Sequence, residues 1–242
     1  MSSLTVGLAA APAPAPVGSG ISSDLIVLIG VVLLVAVFSY LAVVRAGQRN
    51  RAMASFAAAN GCRYSQSGDL GDTGIPLCER GRSRRWDRCI AGAWKGTSFS
   101  YADYQYVVGE GRDQRVVRWS MVRLPLGCDV PAVQVSPRHL LASLVNRVEG
   151  SEIDMESIDF NKRYLVTSDA RSFAVTLLDP RMMEAILGCA DDINIATGSA
   201  YLVVYGSPPC RPELLGAFLD EACAVFQRVP AVVRQRAQPA PG

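Results

Sequence analysis

Residues 25–44 read LIVLIGVVLLVAVFSYLAVV, and neither Leu25, Val44 nor anything between them carries a formal charge. A helix rises about 1.5 Å per residue, so roughly twenty apolar residues cross the ~30 Å hydrocarbon core of a bilayer. No other feature constrains the chain as tightly, because in hydrocarbon a lone segment satisfies its backbone amides only as a helix. A buried core helix rarely excludes every charge over such a length. A cleaved signal peptide needs a basic n-region, and residues 1–24 hold neither Lys nor Arg, only Asp24. The run also exceeds a signal core, and Arg45, Gln48, Arg49 and Arg51 follow it where a small-residue cleavage site would stand. The sequence therefore predicts a retained single-pass anchor, with the lipid bilayer as partner of residues 25–44.

The flanks predict an orientation. Arg45, Arg49 and Arg51 lie on the C-terminal side and nothing basic lies on the other, so the positive-inside rule puts the N-terminus outside and the C-terminal domain in the cytoplasm. Cysteine usage agrees: Cys62, Cys78, Cys89, Cys128, Cys189, Cys210 and Cys223 are an odd set at irregular spacing, which suits a reducing compartment better than a secreted disulfide framework. Lys95 and Lys162 are the only lysines, and an Arg- and Ala-rich chain of this kind points to a GC-rich bacterial genome, hence a bacterial plasma membrane. A net charge of +2 is too mild to suggest nucleic acid as a partner.

Around the anchor the chain divides into four stretches. Residues 1–24 carry APAPAP and GSG, a composition for an extended, mobile tail. Residues 45–60 are rich in helix formers and predict a juxtamembrane helix stopped by Gly61. Residues 62–230 form one soluble domain, with a candidate subdomain boundary near 150–158, and 231–242 read as a disordered tail.

Inside the domain, Tyr104, Tyr106 and Val108 alternate with Asp103 and Gln105, and Val117, Trp119 and Met121 alternate with Arg118 and Ser120. With Gly109 and Gly111 between them, these runs predict an antiparallel hairpin with one aromatic, buried face. A short strand is expected at 132–135, a helix from Ser136-Pro137 through Val148, and a strand at 160–167. Ser168 and the Asp179-Pro180 pair read as caps of two further helices. Gly198-Ser199 reads as the turn of a second hairpin. Residues 213–228 carry Leu215, Phe218, Leu219, Ala222, Val225 and Phe226 in one apolar stripe. The fold class predicted is α+β: one N-terminal transmembrane helix, then antiparallel hairpins covered by helices.

Chemistry is harder to find. The densest charge cluster is ERGRSRRWDR at 79–88, read as a loop in which Arg80, Arg82, Arg84, Arg85, Trp86 and Arg88 are candidate lipid contacts. The competing reading is a solvated segment whose arginines pair with Glu79 and Asp87. His139 is the only histidine and has no nucleophile motif beside it. No CxxC pair, P-loop or dinucleotide fingerprint occurs, so no catalytic, cofactor or metal residue is assigned. Asp191-Asp192 and Asp220-Glu221 read as solvated acidic pairs.

Two segments carry a resemblance. CIAGAWKGTSFSYADYQYVV at 89–108 and DFNKRYLVTSDARSFAVTLLDPRMMEAIL at 159–187 resemble motifs of a family of uncharacterised actinobacterial membrane-anchored proteins, described only as a domain of unknown function (DUF3137-like). The resemblance covers most of residues 54–229, and it implies lineage and architecture but no functional residue. The expectation is a membrane-anchored cytoplasmic binding or scaffold module with an unidentified protein partner. The alternatives are an enzyme with an unfamiliar site around Asp103, Tyr104 and Arg118, and a membrane-surface sensor using the Arg-rich segment.

Overall fold

The apolar run does not end its helix at Val44. In the computed structural model α1 spans Ser23–Ala59, one helix that begins in the apolar run and ends inside the domain. The structure describes residues 23–71, 73–140, 151–189 and 193–235. Two compact units divide the chain, Met1–Gly47 and Gln48–Gly242. In the first, every described residue from Asp24 up to Val43 is exposed, and α1 is long and apolar enough to cross a membrane. The mobile tail expected at 1–24 lies almost wholly outside the described residues.

The last three turns of α1 belong to the second unit. Met53 and Ala57 are fully buried there, and Phe56 stacks on Trp94 with ring centroids 5.6 Å apart. Gly61, at φ +66°, turns the chain back, and the Cys62 N–H closes the helix end by donating to the Ala57 carbonyl at 2.8 Å.

Among the described residues eight strands follow, all paired antiparallel in a single sheet: β1 (Arg63–Gly68), β2 (Arg82–Trp94), β3 (Thr97–Val108), β4 (Arg115–Pro125), β5 (Val133–Pro137), β6 (Tyr164–Thr167), β7 (Ile193–Gly198) and β8 (Tyr201–Gly206), in the spatial order β1-β2-β3-β4-β8-β7-β5-β6. The helices α2 (Ile158–Arg163), α3 (Arg171–Leu177), α4 (Pro180–Leu187), α5 (Leu215–Gln227) and α6 (Ala231–Gln235) complete the α+β fold.

Over the middle of the sheet both faces are buried. On one, Tyr101, Val122, Leu124 and Val204 join the helical residues Met53, Phe160, Met182 and Leu219 in the main core. On the other, Tyr104, Tyr106, Trp119, Met121 and Tyr205 form an aromatic layer beneath Ile75 and Leu77. The polar side of the expected hairpin is thus interior as well: Asp103 and Ser120 are 3% and 1% exposed.

The structure corrects several expectations. Residues 79–88 are not a loop: after a 3-10 turn at Pro76–Glu79, β2 starts at Arg82 and pairs with Val107. The ladder offered by β3 prevails over the charge of the segment, and the bulges it needs place Ser83 and Arg88 at positive φ. The strand expected at 160–167 is only its second half. Ser157 accepts the Phe160 N–H at 3.3 Å and starts α2, which turns Phe160 into the core before Tyr164 opens β6. Ser136 and Pro137 end β5 instead of capping a helix, and the remainder of that expected helix, from 141, lies outside the described residues. Nor does a boundary near 150–158 divide the domain, because β5 and β6 pair across it. Ser168 accepts the Ala170 N–H but caps no helix directly, since Ala170 is the residue before α3. Residues 231–235 form α6 with Val233 buried, where a disordered tail was expected.

The apolar stripe of α5 supplies a stability test. Leu219 is fully buried, so Leu219→Asp sets a charge in the core and is expected to cost several kcal/mol, enough to unfold a marginal domain. Asp220 is not simply solvated: it accepts the Trp94 indole N–H at 2.8 Å and pairs with Lys95 at 2.6 Å. Asp220→Ala is therefore expected to cost about 1 kcal/mol, and Glu213→Ala, at an exposed position, close to nothing. Urea melts of the detergent-solubilised chain check this ranking.

Candidate functional site: a buried carboxylate beneath the first helix

Strand alternation places Tyr101 and Asp103 on the same face of β3, and the β3–β4 register sets Asp103 opposite Ser120. On the other side Asp103 pairs with Asp87 of β2, and the bulge that follows Asp87 swings Arg88 into the same space. The first domain turn of α1 lies above and contributes Arg49 and Asn50.

These groups saturate one carboxylate. Asp103 Oδ2 accepts from Arg49 Nε at 3.1 Å, Arg49 Nη2 at 2.7 Å and Arg88 Nε at 2.6 Å. Its Oδ1 accepts from the Tyr101 hydroxyl at 2.5 Å and from Ser120 Oγ at 2.7 Å. Around that centre Arg88 also donates to Asn50 Oδ1 at 3.3 Å, and Ser120 Oγ accepts the Cys210 N–H at 2.9 Å. Arg85 pairs with Asp87 at 2.9 Å.

The electrostatics follow from burial. Burial opposes the charge on Arg49, but the adjacent Asp103 carboxylate outweighs it and holds the guanidinium above its ordinary range. Burial first, and Asp103 second, push the Tyr101 phenol well above the usual tyrosine value. Cys210 is raised to about 11 chiefly by burial, with Arg49 opposing, so its thiol stays protonated at neutral pH. Asp103 has no lone pair free to take a substrate proton, and its donors are permanently charged or too weakly acidic to serve as proton shuttles. The arrangement is a tether: it fastens α1 to the middle of the sheet.

A cleft of about 360 Å³ adjoins this network through Ser120 and Cys210. Its walls are mainly apolar, from Ile193, Pro208, Leu214, Ala217 and Phe218, with Glu221 at one side.

The residues singled out in the sequence divide differently. Asp103 is central, but Tyr104 points to the opposite face, where its hydroxyl donates to the Cys78 carbonyl at 3.0 Å. Arg118 sits one row further along β4 and is exposed, so these three do not form a site. Of the Arg-rich segment, Arg88 is turned inward to Asp103, Trp86 lies against Tyr104 with centroids 4.3 Å apart, and Arg84 donates to the Cys78 carbonyl. His139 is exposed on a 3-10 turn at Arg138–Leu140. Asp191 and Asp192 lie outside the described residues. All seven cysteines are free thiols. Sequence reasoning missed Arg49 as a site residue because its flanking position explained its charge.

No protein-family model matches the chain, and no curated protein does. Among solved structures it is similar to the crystal structure of the mycobacterial trehalose monomycolate transport factor A, TtfA, with a TM-score of 0.50 and 15% identity, covering 80% of this chain and 98% of that one. At that identity the likeness is one of fold.

Removing the carboxylate leaves two guanidinium groups facing each other, so Asp103→Ala is expected to cost about 3–5 kcal/mol. Tyr101→Phe removes a single donor and is expected to cost about 1–2 kcal/mol. The raised Tyr101 value adds a pH signature. Its contribution is complete below the unfolded phenol value near 10 and is lost as pH rises above it, because the unfolded chain releases the proton first. Thermal melts between pH 8 and about 11 should show the parent losing stability more steeply than Tyr101→Phe.

Proposed function

We propose that the chain is a single-pass membrane protein whose α+β domain is a cytoplasmic binding or scaffold module. The observation that carries this reading is the course of α1. Among the described residues nothing covers α1 from Asp24 to Val43, yet the same helix continues into the domain, where Arg49 forms a partly buried ion pair with Asp103. A helix left bare over one stretch and fastened by charge over the next is what an anchored domain requires. The saturation of Asp103 supports a structural use of this buried polar cluster, and the apolar cleft beside Ser120 supplies a surface for binding. The fold shared with TtfA, a transport factor, is in keeping with a module that assists a process at other molecules' service.

The orientation rests on Arg45, Arg49 and Arg51. Arg49 is paired in the folded domain, but topology is chosen before Asp103, 54 positions later, has been engaged, so all three arginines act during insertion. A reporter that is active only in the cytoplasm, fused after Gly242, is expected to work, and an export-dependent phosphatase at the same place to stay inactive. The reverse pair of results would overturn the orientation.

A further inference from the structure

The arginines near the start of β2 are joined by others from β4. The registers Arg85↔Gln105 and Gln105↔Arg118 set guanidinium groups on both sides of Gln105 in one row, and the next row is Arg82, Val107 and Val116. These two rows continue the face that carries Asp103. Arg115 stands on the opposite face, beside Val117, and Arg112 lies in the connection between β3 and β4. Arg82, Arg85, Arg112, Arg115 and Arg118 are exposed, as is Val116 at 45%. Arg112, Arg115 and Arg118 form no ion pair among the described residues, whereas Arg85 is shared with Asp87. The carboxylates at this end are those of Glu110 and Asp113, so positive charge is in excess.

The direction of α1 within the domain picks out the same end. Arg49 meets Asp103 and Phe56 meets Trp94, so the helix runs along β3 from its middle toward Thr97. The chain therefore enters the domain from the side of Val107 and Val108, where the arginines stand. Arg49 follows the apolar run by five positions in sequence.

We propose that this arginine-ringed end of the sheet docks on the anionic lipid headgroups of the leaflet in which the chain is anchored, an inference that rests on residues 25–44 being an anchor. Guanidinium forks bind phosphate oxygens in pairs, and an anionic leaflet draws basic groups within a Debye length of its surface. Arg88 takes no part, because Asp103 holds it. The surface is thus different from the contiguous Arg-rich segment: it takes Arg82 and Arg85 from that segment and adds Arg112, Arg115 and Arg118 from the far side of the hairpin.

Amide hydrogen exchange over residues 107–118, measured on the full chain in nanodiscs of phosphatidylcholine alone or mixed with phosphatidylglycerol, tests this. Exchange is expected to slow about tenfold in the anionic discs at low salt and to recover at ~1 M salt. The triple variant Arg112→Gln, Arg115→Gln, Arg118→Gln is expected to exchange alike in both discs while melting at the parent's temperature in detergent. Equal exchange of the parent in both discs overturns the docking, and so does anionic protection that survives in the variant. A chain that enters neither kind of disc overturns the anchor reading, and the docking with it.

Discussion

A carboxylate cannot sit in the middle of a sheet, under a helix, unless its charge is answered where it lies. Asp103 is answered five times over, by two guanidinium groups and two hydroxyls from four different elements. Each partner fixes something else. Arg49 sets the rotation of α1 above the sheet, and with it the inward direction of Met53, Phe56 and Ala57. Arg88 reaches Asp103 only because β2 bulges after Asp87. Ser120 carries the network to the Cys210 N–H and so to the segment between β8 and α5. Satisfying one buried anion thus ties together pieces of chain far apart in sequence.

The opposite face is held by shape instead of charge. There the segment ending in Ile75 and Leu77 presses onto the aromatic layer and onto the β7–β8 turn. Gly74, at φ +63°, and Gly198 approach so closely that a Cβ on either would collide with the backbone of the other. This contact lets a short irregular segment seal a layer containing Tyr104, Trp119 and Tyr205, and it leaves the helical face free for α1 and α5. Each face therefore solves burial in its own way, and the sheet between them is not half solvated as its alternation suggests.

That alternation is where sequence reading succeeds and fails. The β3–β4 and β7–β8 hairpins, the Asp179 cap of α4 and the stripe of α5 are local patterns, with their signals within a few residues of their effects. The Asp103 network is not local. Asp103 with Gln105 and Arg118 reads as a polar outer face, and nothing near Asp103 announces that Arg49 will close over it. The Arg-rich segment fails for a related reason. Its composition is that of a solvated loop, but parity along a strand sends Arg84 and Trp86 to one side and Arg85 to the other, and the bulge after Asp87 brings Arg88 to the side of Arg85. A cluster in sequence becomes two groups in space, and only the pairing partner decides which arginine belongs to which.

A helix that passes from an apolar run into a folded domain also faces a problem of register. Apolar side chains are welcome both in hydrocarbon and in a protein core, so hydrophobicity alone distinguishes poorly between the residues meant for each. A one-turn slip of α1 would exchange one set of apolar contacts for another at little cost. It would also draw Arg49 away from Asp103 and leave that guanidinium partly buried without its carboxylate, with Arg88 the one cation still paired to Asp103. Breaking such a pair costs about 3–5 kcal/mol, more than most single apolar contacts contribute. The ion pair adds little net stability over a well-packed apolar contact, because desolvation offsets its Coulomb attraction. Its effect is selective: among the ways the domain can grip this helix, it penalises all but the one in which Arg49 stands over Asp103.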